Sequence, residues 1–171
     1  MTLPTQRRVA RLWRHFRHDR THVRRAFPKS LLDQVETRIA DGERRHGAQL
    51  RLAIEASLPP AAVWRGVRPR TRALQVFGNL GIWDTEANNG VLLYVLLADR
   101  SVEIVADRAA ARAIDEAQWR AITAELAAAF RKGDYAEGTL RAVDRIGELL
   151  AKAFPAGDAP ADELPNRPAL L

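Results

Sequence analysis

The sequence contains no cysteine, which excludes disulfide bonds, thiol catalysis and zinc–thiolate sites. It also lacks the uninterrupted run of roughly 18 or more apolar residues that a membrane-spanning helix needs. The N-terminus is basic but has no apolar core of the kind found in signal peptides. We therefore expect a cytoplasmic protein. Its 171 residues, 47% of them hydrophobic, are enough for one domain with appendages.

Acidic residues are scarce at the start of the chain, and this shapes the charge distribution. Residues 1–30 contain nine arginine or lysine residues and a single acid, Asp19, whereas the remainder has 18 basic and 20 acidic residues. The net charge of +6 therefore belongs to an N-terminal arm, and the body of the protein is almost neutral. This distribution does not support a nucleic-acid-binding function for the whole chain.

Residues 5–25 have the pattern of one amphipathic helix, and we predict a basic helical segment over residues 1–28. Three roles are open: packing on the domain or on a protein partner, contact with an anionic membrane surface, and, less favoured, binding of nucleic-acid phosphates. The predicted contact residues are Arg7, Arg8, Arg11, Arg14, Trp13 and Phe16. The histidines of this arm could hold zinc by their spacing, but the surrounding arginines repel a cation. We therefore predict solvated surface positions for His15, His18 and His22.

Residues 29–155 have the periodicities of an α/β domain. Residues 49–55 alternate as a strand, a helix over 69–80 leads to an apolar strand over 91–98, and residues 102–107 return as a hairpin. A strand–helix–strand unit followed by a hairpin predicts a small mixed sheet. Further helices are predicted from Ser30, over 116–131 and over 135–154, and the buried face of helix 69–80 is predicted to be Leu74, Phe77 and Leu80. The proline-rich residues 156–171 predict an extended tail.

A polar loop, residues 84–90, leads directly into the apolar strand. Its side chains supply the oxygen ligands that Ca²⁺ and Mg²⁺ prefer, and the hairpin should return Asp107 to the same edge of the sheet. The loop is not an EF-hand, because Val95 occupies the position of the essential Glu. We predict a weak divalent-cation site formed by Asp84, Asn88, Asn89 and Asp107. The alternative is structural: Asp84 caps a turn, and residues 88–90 supply left-handed conformations.

Two strings are fairly specific in combination: Asn88-Asn89-Gly90-Val91-Leu92-Leu93 and Phe130-Arg131-Lys132-Gly133-Asp134-Tyr135. With the order of elements over roughly residues 30–154, they resemble the TPM domain family, most closely its short bacterial branch without signal peptide or transmembrane tail. The resemblance implies a three-layer α/β/α sandwich and, from some members, Ca²⁺ or Mg²⁺ binding at the loop ends of the sheet. One departure is the string 107–110, Asp-Arg-Ala-Ala, where many members have Gly-Tyr-Gly followed closely by Glu.

The resemblance implies functions of different classes. Members that act in assembly or repair of membrane complexes imply a non-enzymatic accessory or scaffolding protein near the cytoplasmic membrane face. Some plant members are described as weak acid phosphatases, which implies a metal on Asp84 or Asp107 and a phosphate on Arg100 or Arg108. The sequence has no Asp-x-Asp, Cys-x5-Arg or paired-histidine signature, which favours the non-enzymatic role. A nucleic-acid-binding adaptor acting through the arm is a third alternative.

Overall fold

A computed structural model describes residues 4–156 and 163–171, with side chains from Arg8 onward. The elements follow in the order α1 Pro4–Arg17, α2 Arg20–Ala26, α3 Lys29–Glu43, β1 Leu50–Glu55, α4 Pro60–Trp64, α5 Pro69–Asn79, β2 Val91–Leu96, β3 Ser101–Ala106, α6 Arg108–Ala113, α7 Glu116–Arg131, α8 Tyr135–Ala153 and β4 Ala169–Leu170. No helix in these ranges is long and apolar enough to cross a bilayer.

The strands form one sheet in the order β3-β2-β1-β4. β1 and β2 are parallel, with Leu50 opposite Val91, and β2 and β3 are antiparallel, with Val91 opposite Ala106. The predicted mixed sheet is therefore confirmed. β4 was not predicted as a strand; it runs parallel to β1 and places Ala169 beside Ala53.

Helices cover both faces of the sheet, which confirms the α/β fold and gives it three layers. Every residue of β2 is buried, as expected for a strand covered on both sides. Leu93 and its neighbours on one face pack with α3, α7 and α8, whereas Leu92, Tyr94 and Leu96 face the layer that contains α4 and α5. The alternation of β2 side chains thus divides the core into two halves.

The prediction of one helix over residues 5–25 is wrong, because the chain forms α1 and α2 with a break between them. Asp19 causes the break: its carboxylate accepts hydrogen bonds from the N–H groups of Thr21 (2.9 Å) and His22 (3.2 Å). These bonds cap a new helix and are incompatible with a continuous one. The side chains of Thr21 and His22 also hydrogen-bond this carboxylate and, with a smaller effect of the backbone bonds, hold the pKa of Asp19 well below its usual range.

The predicted buried face of α5 is also partly wrong. Leu74 is half exposed, and the fully buried residues are Ala73 and Val76, with Phe77 partly buried. The helix presents its small residues to the sheet because it lies close to Tyr94 and Leu92, which fill that layer. The sequence periodicity predicted the position of the helix correctly, but the predicted buried face differs from the observed one by about one residue position.

The C-terminal segment 163–171 is extended and follows the edge of β1. Arg51 donates to the carbonyl of Arg167 (2.9 Å) and to that of Pro165, and Leu171 N–H donates to the carbonyl of Ile54 (2.9 Å). Leu164 is buried in the core half that contains α5. Residues 157–162 of the predicted tail lie outside the described residues.

Candidate functional site

The polar loop and the start of α6 are joined by backbone hydrogen bonds at one edge of the sheet. Asp107 N–H donates to the carbonyl of Gly90, and Ala109 N–H donates to that of Asn88, both at 2.9 Å. The hairpin therefore returns Asp107 to the loop, as its register requires. Of the four predicted ligands, Asn88, Asn89 and Asp107 lie together in this region, whereas Asp84 is exposed at the first position of the loop.

Two positions of the loop restrict which residue can stand there, Asn88 by its backbone conformation and Gly90 by close packing. Asn88 has φ of +52°, a left-handed conformation that Asn tolerates better than most residues. Gly90 has an ordinary φ, but a Cβ there would lie 2.2 Å from the carbonyl oxygen of Ile82. The structural prediction for residues 88–90 is thus confirmed for Asn88, while Gly90 is required for close packing.

Hydrogen bonds hold the side chain of Asn89 in place, but its amide oxygen has no partner among the described residues. The residue is only 2% exposed, its Nδ2 donates to the carbonyl of Gly47 (2.7 Å), and its N–H donates to Thr85 Oγ1 (3.2 Å). Its Oδ1 is buried and accepts no hydrogen bond from the described residues. The donor side of this amide is therefore fixed, which leaves an oriented oxygen acceptor inside the protein.

Asp107 likewise has one side-chain oxygen with a partner and one without a partner among the described residues. The residue is 8% exposed, and its Oδ1 accepts a hydrogen bond from Arg108 N–H (2.7 Å), which caps α6. Its Oδ2 is buried and without a hydrogen-bond partner among the described residues. A buried carboxylate oxygen without a donor is costly, and such an atom in a native protein calls for an explanation.

A divalent cation fits the chemistry of these two oxygens. A carboxylate, an amide oxygen and nearby carbonyls are the donors that Ca²⁺ and Mg²⁺ prefer. The described residues contain no group of three or more His, Cys, Asp or Glu side chains that could hold a metal ion. A cation here would depend on the amides of Asn88 and Asn89 beside the single carboxylate of Asp107, an arrangement consistent with weak affinity.

The opposite end of the sheet holds α1 in place. Arg11 donates to both oxygens of Asp99 (2.6 to 3.1 Å) and to the carbonyl of Val67 (2.8 Å). Leu58 N–H donates to His15 Nδ1 (2.9 Å), and His15 Nε2 lies 3.1 Å from Asp99 Oδ1. The arm is therefore docked on the domain, at the turn between β2 and β3.

The prediction that the three histidines are solvated is wrong for His15, which is 4% exposed. Helical spacing placed His15 among arginines, and no local pattern indicated that Asp99, far along the chain, would reach it. His18 and His22 lie nearer the surface, with ring centroids 5.0 Å apart. The side chain of Arg7, another predicted contact residue, lies outside the described residues.

Asp99 is ionised in this cluster. Burial is the largest single influence and opposes ionisation, but His15 and Arg11, which face the carboxylate, more than offset it. The pKa of Asp99 therefore lies well below its usual range. Both oxygens of Asp99 are held by Arg11, so the cluster is an ionic anchor rather than an open site.

A second buried polar cluster was missed from the sequence. Glu55, at the end of β1, accepts hydrogen bonds from Tyr94 Oη (2.5 Å) and from Nε and Nη2 of Arg72 (both 2.9 Å at closest). Burial, reinforced by the hydrogen bond to Glu55, raises the pKa of Tyr94 far above its usual range. All three groups are paired, so this cluster fastens α5 to the sheet. The sequence indicated this cluster only through Glu55, an acid at the end of a strand that is apolar apart from Arg51.

Comparison with known proteins agrees with this architecture. The TPM domain family matches residues 25–149. The chain is similar to the BA42 protein from the psychrophilic bacterium Bizionia argentinensis, whose structure was solved by NMR, with 26% sequence identity and a TM-score of 0.72 over 83% of this chain and 93% of that one. The search of curated proteins found no match. With most of its length matched, including the loop, α6 and strands β1 to β3, this chain belongs to the TPM domain family.

Proposed function

We propose that this protein is a non-enzymatic accessory or scaffolding protein that binds Ca²⁺ or Mg²⁺ weakly and acts near the cytoplasmic face of a membrane. The observation that supports cation binding is the pair of buried oxygens, Asn89 Oδ1 and Asp107 Oδ2, that lack hydrogen-bond donors among the described residues. These two oxygens would be the inner ligands, with Asn88 and Asp84 completing the predicted set. A bound cation would supply positive charge that stabilises the loop against α6.

The burial of these oxygens favours binding over catalysis. A phosphatase must bring a phosphate ester to its metal and clamp it with cationic groups. Of the two arginines considered for that role, Arg100 lies in the β2–β3 turn, at the other end of the sheet from Asp107. Arg108 is next to Asp107 and exposed, and this is the observation that keeps a weak metal-dependent phosphatase as the second candidate.

The test is a titration with Ca²⁺ and with Mg²⁺, followed by backbone amide chemical shifts. We expect saturable shifts at millimolar metal, confined to residues 84–90 and 107–109. Asp107→Asn should remove them, because it neutralises the carboxylate while keeping an oxygen that can cap α6. Asp84→Ala should weaken binding less, since Asp84 is exposed. Glu116→Gln, an exposed acid on α7, is the matched control, and the absence of saturable shifts in the wild-type protein would refute cation binding.

The phosphatase alternative has its own measurement. Hydrolysis of p-nitrophenyl phosphate is followed with and without Mg²⁺, in the wild-type protein and in Arg108→Gln. We expect no metal-dependent turnover. Turnover that requires the metal and is lost in both Asp107→Asn and Arg108→Gln would replace the non-enzymatic proposal by the enzymatic one.

A further inference from the structure

α1 is attached to the domain through its polar side, the reverse of the usual arrangement for an amphipathic helix. Arg11 and His15 face the buried carboxylate of Asp99, and Leu12 packs against the core half that contains α5. These contacts fix the rotation of α1 about its axis. The opposite side of the helix is therefore held outward by buried ionic contacts.

The side held outward is apolar. Val9, Trp13 and Phe16, here called the aromatic stripe, lie at spacings of four and three residues and are 43%, 63% and 80% exposed. The rings of Trp13 and Phe16 pack edge to face, with centroids 6.2 Å apart. Together with Leu171 the stripe borders a groove of about 740 Å³. An exposed apolar surface of this kind marks a contact site.

Cationic side chains surround the aromatic stripe. Residues 8–26 contain seven arginines and one acid, Asp19. Within the described part of the chain, Arg11 and Arg14 pair with Asp99, whereas Arg8, Arg17 and Arg25 have no carboxylate within 4 Å. These arginines contribute positive charge beside an apolar surface, and that charge is not neutralised by the described residues.

A basic cleft adjoins the groove. His18 borders the groove and also lines a cleft of about 390 Å³ that contains His22, Arg25 and Arg100. The groove suits hydrocarbon, and the cleft suits an anionic oxygen group such as a phosphate. An amphiphile with an anionic head and an apolar body matches this pair of surfaces.

We infer that the aromatic stripe of α1 docks onto an anionic phospholipid bilayer, with Trp13 and Phe16 at the headgroup level and the basic cleft beside the phosphates. This inference rests on the membrane location proposed above and names the surface and the lipid chemistry. A second copy is a poorer occupant, because a symmetric contact would bring two arginine-rich helices together. Nucleic acid is also poorer, because Trp13 and Phe16 pack edge to face on each other and share the surface with Val9 and Leu171, which cannot stack on bases.

The experiment is flotation of the full chain with lipid vesicles. Vesicles of neutral phosphatidylcholine are compared with vesicles in which about one third of the lipid is phosphatidylglycerol, at low and high NaCl. We expect binding to the anionic vesicles only, weakened by salt. Trp13→Ser/Phe16→Ser should reduce partitioning by about tenfold, because it removes the inserting rings. Arg17→Gln/Arg25→Gln should reduce it by about tenfold as well, because it removes two surface cations.

Matched controls separate this surface from general effects. Trp83→Ser removes an exposed tryptophan at the loop end of the sheet, and Arg112→Gln/Lys152→Gln makes the same charge change on α6 and α8. Both controls should bind vesicles like the wild-type protein. Equal binding to neutral and anionic vesicles, or wild-type binding by Trp13→Ser/Phe16→Ser, would overturn the inference.

Two further measurements distinguish a lipid surface from a second copy or nucleic acid, and the lipid inference from the cation proposal. The inference would also be overturned if neither the wild-type protein nor Trp13→Ser/Phe16→Ser bound vesicles, while the wild-type protein alone formed a concentration-dependent dimer or bound single-stranded DNA. The same variant should retain the metal-dependent amide shifts of residues 84–90. Retained shifts without vesicle binding refute the lipid surface alone, whereas vesicle binding without shifts refutes the cation site alone.

Discussion

Two aspartates whose side chains are little exposed, at opposite ends of the sheet, have contrasting environments. Asp99, in the turn between β2 and β3, faces Arg11 and His15, and both of its carboxylate oxygens have partners. Asp107, directly after β3, uses Oδ1 to cap α6, while Oδ2 is buried without a donor among the described residues. The two residues are similarly buried but differ in how fully their hydrogen-bonding capacity is used.

The difference separates a structural carboxylate from a candidate ligand. A carboxylate that is held by a bidentate arginine and faced by a histidine ring nitrogen has little capacity left for a cation, and its partners fix it in place. A carboxylate with one free, oriented oxygen is costly to the folded protein unless something else satisfies it. Burial alone therefore does not identify a site; the unpaired oxygen does.

The largest effect that we expect comes from removing the carboxylate of Asp99. Asp99→Ala leaves Arg11 and His15 without their partner, so the free energy of unfolding should fall by roughly 3 kcal/mol. Asp107→Ala loses a helix cap and should cost about 1 kcal/mol. Urea denaturation of the two variants measures the contrast, and an equal or smaller loss for Asp99→Ala would contradict it.

The next effect concerns the packing of the loop. Gly90→Ala places a Cβ against the carbonyl oxygen of Ile82 at 2.2 Å, so the backbone must move and stability should fall by about 2 kcal/mol. Gly147→Ala is the matched control, because it lies in α8 with no neighbour within 4 Å of its Cβ. Helix propensity predicts that the control is neutral or stabilising by up to about 1 kcal/mol. Thermal unfolding of both variants tests this, and a stable Gly90→Ala would show that the loop tolerates displacement.

Acid should lower the stability of the protein through Asp99, in the turn between β2 and β3. The pKa of Asp99 is lowered in the folded protein, so its stabilisation is fully present above the ordinary carboxylate pKa of about 4 and is lost as pH falls towards the folded value. Between pH 5 and pH 2 the wild-type protein should therefore lose about 1 to 2 kcal/mol more stability than Asp99→Asn. Urea titrations across this pH range give the two slopes, and parallel slopes would disprove the linkage.

The smallest effect is expected at the half-satisfied carboxylate. In metal-free buffer Asp107→Asn should change the free energy of unfolding by less than about 1 kcal/mol, because Asn still caps α6. With excess Ca²⁺ or Mg²⁺ the wild-type Tm should rise and that of Asp107→Asn should not, since only the wild-type protein binds the cation. Calorimetry with and without metal is the measurement, and an equal rise in both proteins would exclude Asp107 as a ligand.

The sequence predicted the elements that depend on local patterns. α7 begins after Asp115, whose carboxylate accepts from Ala117 N–H (3.0 Å), and Trp119 and Phe130 lie on its buried face as predicted. The strand β2 was also predicted, because its residues form an uninterrupted apolar run. These elements were predictable because a cap and a hydrophobic period are both contained within one short segment.

What the sequence did not predict depends on contacts between distant segments. α4 and α6 are too short to show a period, and β4 has two residues whose pairing with β1 depends on the folded chain. At the candidate site, Asn89 and Asp107 were predicted and are brought together. Which of their oxygens is free follows from Gly47 and the start of α6, neither of which a spacing rule includes.

The edge of β1 has a consequence for synthesis on the ribosome. β1 is translated long before residues 163–171, which cover its edge through Arg51, Ile54 and the bridge to Ala169. Until that segment has emerged, a nascent chain exposes the unpaired N–H and C=O groups of a buried parallel strand. Such an edge is a template for pairing with another chain, so newly made protein has a stage at which chaperone binding would protect it from association.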